Sequence, residues 1–357
     1  MNKKLKILFI PRWYPNRVDS LNGVFIKRHA LAVAIKHKVA VLYINADPAL
    51  KDTTHELEFA IEEGIATVRV YYNNSLPRIP FVSSVLKFYR YLSACKMGIK
   101  AIKEKFGTPD ISHIHVLART FLPAYYFKYF FNTPFIVSEQ WSGYLPEDGM
   151  YKGFLKKMLT KIAIRKASAV TTVSESLKDA MRVHGLSNEY TVIPNVVDIN
   201  KFFPADQKKD KHKFFLLTVA DLDDRAKNLS GAIRVMQKLS ESRNDFEYHI
   251  VGAGRDMDIL QEMASKYKIV NKYVFFHGAR NSDEVAEIMR KADLFVLFSN
   301  YDNMPTVMTE AFASGLPVVG SAVHGMKEHI KEGLGLLVEP GNENMLRSSI
   351  NNALNNI

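Results

Sequence analysis

Short runs of β-branched and apolar residues alternate along this chain with segments whose apolar residues recur at helical spacing. That alternation constrains the fold more than any other feature. Continuous apolar runs suit strands buried on both faces, and strands separated by helices pair in parallel. The first series reads KILFI (6–10), VAVLYI (39–44), TVRVYY (67–72), SHIHV (112–116), FIVSE (135–139), AVTTVS (169–174) and TVIPN (191–195). The polar, aperiodic stretch VVDINKFFPADQKKDKHK follows Asn195. A second series then starts: FFLLTVA (214–220), FEYHIVG (246–252), YVFFHG (273–278), LFVLFS (294–299), PVVGS (317–321) and GLLVE (335–339). The expected fold class is α/β, with two Rossmann-like doubly wound domains at 1–198 and 212–357, joined by a linker at 199–211. Such sheets bind ligands outside the carboxyl ends of their strands, so a cleft between the domains is the expected site.

Composition narrows the function. The 357 residues are 47% hydrophobic and 24% charged, an ordinary globular mixture. The one cysteine, Cys95, has no partner for an internal disulfide, and no Cys or His cluster stands at metal-ligand spacing, so no metal site is expected. No apolar run approaches the roughly 18 residues of a membrane span. After a basic start the first apolar run stops at Pro11, too short for a signal peptide, and a cytoplasmic location is expected. The net charge of +11 is one-sided: residues 1–200 hold 28 Lys and Arg against 16 Asp and Glu, the rest 20 against 21. An anionic partner for the first half follows, a nucleic acid or a membrane surface.

Two basic amphipathic segments point to the membrane. In 84–106, Phe88, Leu92, Cys95, Ile99, Ile102 and Phe106 form a stripe flanked by Lys96, Lys100 and Lys103. In 151–166, Phe154, Leu155, Met158, Leu159 and Ile162 form another, bordered by Lys152, Lys156, Lys157, Lys161 and Arg165. Ordinary core packing with solvated lysines fits both stripes as well. No basic and aromatic residues interleave as a stacking platform would need, so no nucleic-acid partner is expected.

Three loops at strand ends carry candidate chemistry. After KILFI, a polar loop ends in Asn22-Gly23 before the helical VFIKRHALAVAI. A glycine there lets backbone amides approach a phosphate, although turns need glycine too. After FFLLTVA, the segment DLDDRAKNLS sets Arg225 and Lys227 before a helix start, which suits a diphosphate. After LFVLFS the chain reads NYDNMPTVMTEAFASGLPVVGS. Asp302 leaves the strand, Pro305 marks a helix start, the Thr306 and Val307 amides are free at its N-terminus, and Glu310 lies further inside. A carboxylate so placed suits hydrogen bonds to ribose or sugar hydroxyls.

The spacing from Asp302 to Glu310, followed by AFASGLPVVGS, resembles the E-x₇-E region of retaining GT-B glycosyltransferases, glycosyltransferase family 4. ASAVTTVSESLKD (167–179), VIPNVVDINKFFP (192–204), YHIVGAGRD, VFFHGARNSDEVAEIMRKADLFVLFS and GLGLLVEPGN are similar to other segments of that family, in the family's order. The resemblance implies a hexosyltransferase that needs no metal or cofactor and transfers a sugar from a UDP- or GDP-linked nucleotide-sugar with retained configuration. It implies a donor on the second domain and a glycan or lipid-linked acceptor mainly on the first. The implied setting is envelope polysaccharide biosynthesis, such as lipopolysaccharide or capsule, by a cytoplasmic enzyme peripheral to the inner membrane face. Carried over by position, Lys227 meets the donor diphosphate, with Arg225 beside it and Gly23 allowing close approach. Glu310 holds the ribose, Asp302 a hydroxyl of the transferred sugar, and the backbone around Gly278 the base. The amides of Thr306 and Val307 complete the donor side.

Three positions depart from the family. Where it usually has a Gly-Arg pair, this chain reads Ala220-Asp221, leaving Arg225 as the substitute cation. The first acid of the motif is Asp302, one methylene shorter. Gln140, in EQWSGY, replaces a sugar-pocket histidine; it can hydrogen-bond a hydroxyl but cannot relay a proton. Asp221 and Gln140 keep open a second reading, a nucleotide-sugar-binding protein that has the fold without the activity. An epimerase of the same fold is a further alternative.

Overall fold

A computed structural model of the chain describes residues 3–51, 53–75, 82–205 and 213–357. Of the expected linker, residues 206–211 lie outside the described residues. Two compact units form: Met1–Trp141, Tyr151–Thr172 and Met181–Ile193 make the first, and Ser142–Met150, Val173–Ala180 and Pro194–Ile357 the second.

The apolar runs become strands because each fills the interior of a helix-covered sheet. In chain order the first sheet's elements are β1 (Lys6–Pro11), α1 (Val24–Ala34), β2 (Lys38–Ala46), β3 (His55–Glu62), β4 (Ile65–Tyr72), α2 (Val82–Lys105), β5 (Ile111–His115), α3 (Phe121–Phe131), β6 (Phe135–Glu139), α4 (Phe154–Lys166), β7 (Ala169–Thr172), α5 (Glu175–Val183) and β8 (Tyr190–Val192). The order across the sheet is β3-β4-β2-β1-β5-β6-β7-β8, parallel except where β3 pairs β4 antiparallel. Phe9, Tyr14, Ile26, Val41 and Tyr43 pack one side of it.

The strand β3 is absent from the sequence expectation. It pairs through a hairpin turned at Glu63 and Gly64, whose φ of 48° and 81° suit a two-residue turn. It sits at the sheet edge, so it needs no continuous apolar run.

The second sheet continues with β9 (Phe214–Val219), α6 (Asp224–Lys227), α7 (Leu229–Ser240), β10 (Phe246–Val251), α8 (Met257–Lys266), β11 (Val274–Phe276), α9 (Ser282–Lys291), β12 (Leu294–Leu297), α10 (Thr306–Ala313), β13 (Val318–Ser321), α11 (His324–His329), β14 (Gly335–Val338) and α12 (Glu343–Asn356). Its order is β11-β10-β9-β12-β13-β14, and every pairing is parallel. Leu216, Ile233, Met236, Phe246, Val296 and Leu346 lie in its core. Each sheet reverses its winding once, between β1 and β5 and between β9 and β12. In each sheet, the loops leaving the two strands at the reversal border the place where such sheets bind ligands.

The two basic stripes fare differently. On α2, Cys95, Ile99 and Ile102 are buried while Phe88 and Leu92 are exposed. On α4 the core is met instead by Thr160, Ala163 and Ile164. All five stripe residues there, Phe154, Leu155, Met158, Leu159 and Ile162, are exposed, Phe154 by 84%. Core packing of the α4 stripe is thereby excluded.

Candidate glycosyltransferase site

In the second unit the winding reversal brings together two loops far apart in sequence. The loop after β9 folds into the short helix α6, capped by Asp223, whose carboxylate accepts from the Arg225 amide at 3.1 Å. The loop after β12 lies against it. Asn300 donates its amide to the Ala226 carbonyl at 2.8 Å and its side chain to the Arg225 carbonyl at 3.0 Å. These bonds set Asp302 beside Lys227, and the two form an ion pair and hydrogen bond. Their side chains are only 22% and 13% exposed, so solvent screens the pair weakly.

Burial alone would lower the Lys227 ammonium, but the charge and hydrogen bond of Asp302, with Asp221 behind, outweigh it and hold the group above the ordinary lysine range. Desolvation raises the Asp221 carboxyl against the pull of Lys227; since Asp221 is exposed, that push is weak. Arg225 is half-exposed, stands over the Tyr301 ring at 5.6 Å and reaches the Asp148 carboxylate at 3.7 Å. Asp148 also accepts from the Ser142 hydroxyl at 2.5 Å. Each cation of this loop therefore already faces a carboxylate.

The helix α10 starts one residue after Pro305, whose φ of −64° is preset for a helix entry. Thr306 and Val307, both half-buried, form its first turn. Glu310 lies one turn further and is only 4% exposed, engaged by its neighbours as a buried carboxylate must be. Gly278, at φ 69°, takes the left-handed turn after β11, and its carbonyl accepts from the Gly252 amide at 2.9 Å. Beside it His277 shares a 2.8 Å hydrogen bond with His249, and burial then Arg280 pull the His277 imidazole down.

The glycine at 252 is a site residue that sequence reading missed. A methyl group there would stand 1.8 Å from the Ala220 carbonyl oxygen, with φ at 145°. The loop after β10 thus packs backbone to backbone on the loop that presents Lys227. The paired glycines in VGAGRD carried that signal. Asp148 and Tyr301, which hold Arg225, were also missed.

Gly23 and Gln140 belong to the first unit. Gly23 precedes α1 at φ 65°, and a methyl group on it would stand 2.3 Å from the Trp13 backbone. The loop's own packing demands glycine there, whatever approaches it. Gln140 follows β6, beside Glu139, whose buried carboxylate accepts from the Leu117 amide at 2.8 Å. Among the described residues no group of His, Cys, Asp and Glu is arranged to hold a metal ion, and no helix is long and apolar enough to cross a membrane.

The family model for glycosyl transferases group 1 matches residues 199–356, and that for Glycosyltransferase Family 4 matches residues 26–201. The chain is 23% identical to a glycogen synthase of Mycobacterium tuberculosis, a match covering 92% of this chain and 81% of that protein. It is likewise 23% identical to the putative teichuronic acid biosynthesis glycosyltransferase TuaC of Bacillus subtilis, over 97% of this chain and 88% of that one. Among solved structures, Anabaena HepE in complex with UDP and glucose matches with a TM-score of 0.70 at 17% identity, covering 98% of this chain and 90% of that one. Two parallel sheets of this topology, with the two models together spanning nearly the whole sequence, place the chain among the GT-B glycosyltransferases of family 4 type.

Proposed function

We propose that the protein is a retaining, metal-independent hexosyltransferase of cell-envelope polysaccharide biosynthesis, using a UDP- or GDP-linked donor and a glycan or lipid-linked acceptor. Residues 212–357 carry the donor and 1–198 the acceptor. The observation that carries this reading is the Lys227–Asp302 pair at the β9/β12 reversal, with the first turn of α10 and the buried Glu310 following it. On donor binding the diphosphate competes with Asp302 for the Lys227 ammonium, which frees the carboxylate for a hydroxyl of the sugar. As the glycosidic bond breaks, the leaving diphosphate gains negative charge, so a fixed cation there stabilises the transition state more than the ground state. Glu310, set back in the helix, serves the ribose. Gly278 and its neighbours serve the base, Arg225 and the Thr306 and Val307 amides support the phosphates, and Gln140 contacts the sugar from the acceptor side. The exposed apolar stripe of α4, bordered by lysines, supports a peripheral place on the cytoplasmic membrane face.

Steady-state kinetics on two variants test the assignment. Lys227→Ala is expected to lose about 2.7–4 kcal/mol of transition-state stabilisation, roughly 10²–10³ in kcat. Glu310→Gln is expected to raise the donor KM more than it lowers kcat. Near wild-type kcat in Lys227→Ala would show that the diphosphate lies elsewhere.

A further inference from the structure

The helix α3, FLPAYYFKYFF, is apolar nearly all round, a pattern that belongs to a helix covered on every side. Here only part of it is covered. Pro123, Ala124 and Phe127 meet the core, whereas Tyr129 and Phe130 are 63% and 73% exposed. Across from them Leu92 of α2 is exposed as well. Between the two helices runs an apolar trough of about 780 Å³, walled by Leu92, Ile99, Leu122, Tyr125, Tyr129 and Phe130. The Tyr125 hydroxyl is buried in this wall and has no hydrogen-bond partner among the described residues. Exposed apolar surface of this extent, bordered by charge, marks a site of interaction.

The border is basic along one rim. Lys96, Lys100 and Lys103 stand about a turn apart on the exposed side of α2, and Glu104 is the one carboxylate lining the trough among the described residues. Lys100 meets Glu104 only at 3.9 Å with both side chains exposed, a contact that contributes little. Lys103 stands over the Phe131 ring at 4.7 Å, and among the described residues Lys96 makes no ion pair. The rim therefore offers three cations at helical spacing to whatever lies in the trough. From Leu92 to Glu104 it follows α2 for about 18 Å, at 1.5 Å per residue, the length of about three helical turns. A bilayer would present hydrocarbon to a concave wall and leave the Tyr125 hydroxyl unpaired. A second copy docked two-fold would bring two lysine rows into one interface.

We propose that the trough is a docking groove for an acidic amphipathic helix of a partner protein. Its apolar face lies between α2 and α3, and its carboxylates, spaced a turn apart, meet Lys96, Lys100 and Lys103. A helix laid in an apolar groove is a recurrent mode of recognition, with the apolar face giving affinity and the flanking charges giving orientation. The groove stands apart from the Lys227–Asp302 pair, so the proposal does not depend on what that site catalyses.

Fluorescence anisotropy of labelled peptides with the full chain tests this. The probe is a designed amphipathic helix with leucines on one face and glutamates along its flank. Its controls are the same peptide with lysine for glutamate and an isomer of the same composition without helical periodicity. The glutamate helix is expected to bind about tenfold more tightly than either control, and less tightly as salt rises. Leu92→Glu and Tyr129→Asp, at exposed positions, should each weaken it about tenfold, with unchanged melting temperatures showing intact folding. Joint Lys96→Glu and Lys100→Glu replacement should invert the preference, so that the lysine helix binds the variant better. Equal affinity for the three peptides, or an uninverted preference in that variant, would overturn the groove. Vesicle binding lost in Leu92→Glu with no peptide bound would overturn it in favour of a bilayer. Dimers in the parent that Tyr129→Asp dissociates, again with no peptide bound, would overturn it in favour of a second copy.

Discussion

At the end of β5 two histidines sit ring against ring, with His113 and His115 centroids 4.1 Å apart and Phe9 stacked on His115 at 4.6 Å. Neither ring nitrogen of His115 has a hydrogen-bond partner among the described residues. Burial pushes His113 down from 6.5 to about 3, with His29 adding to it, and pushes His115 well below its ordinary value. A folded pKa below the unfolded one means the unfolded chain takes up protons first as pH falls. Stability is therefore full above about 6.5 and declines toward 3, by up to about 1.4 kcal/mol per pH unit for each histidine. Urea midpoints between pH 7 and 4.5 should fall steeply in the parent and less steeply in His115→Leu; identical slopes would exclude the pair as the source. Single residues such as Lys227, Asp302 and Glu310 were legible in the sequence because they follow strand-like runs. That Lys227 and Asp302 pair was not legible, since the contact spans 75 residues and depends on which strands lie side by side.

Among elements, apolar runs located the buried strands well, but their ends shift by up to a few residues in either direction, β2 running past VAVLYI at both ends. AVTTVS was read as a strand through Ser174, whereas β7 stops at Thr172. The Ser174 hydroxyl instead accepts from the Leu177 amide at 3.1 Å at the entry to α5, where a polar cap gains more than another ladder bond. The same competition explains α9, where Asn281 and Glu284 satisfy each other's backbone amides. Asn281→Ala should cost about 1 kcal/mol, read from urea unfolding, without altering donor KM. Gly252→Ala belongs to a harsher class. Its methyl group would meet backbone that cannot rotate away, so a loss of about 3 kcal/mol or more is expected, together with weaker donor binding. A thermal melt within a degree of the parent would show that the two loops yield more readily than this packing suggests.

Across the whole molecule, the charge bias of the first 200 residues is a property of composition and needed no structure to see. Whether an amphipathic helix turns its apolar stripe inward is another matter. That rotation is set by what packs against it, which is why α2 and α4, both with lysine-flanked apolar stripes, bury different shares of them. If α4 meets a membrane, sedimentation with anionic vesicles should exceed that with neutral ones and fall as salt rises, each well-placed lysine contributing about 1 kcal/mol. Joint Phe154→Ser and Leu155→Ser replacement should lower recovery at every salt concentration. Equal recovery with neutral and anionic vesicles would remove the membrane from the account.

The hairpin strand β3 has a consequence for handling the protein. As the outermost strand it offers unpaired backbone groups along one side, and Leu57, Phe59 and Ile61 stand exposed on it. Such an edge invites another chain to add itself in register. Glu56, Glu58 and Glu62 alternate with those apolar residues, and charged side chains on an edge strand oppose such pairing. Arg17 holds the Glu56 carboxyl below its usual range, and Arg69 does the same for Glu62 against the opposing effect of burial. These two carboxylates therefore stay ionised, and the edge polar, further into acid than unpaired glutamates would. Once these carboxylates are protonated, turbidity should arise from edge-to-edge joining of chains.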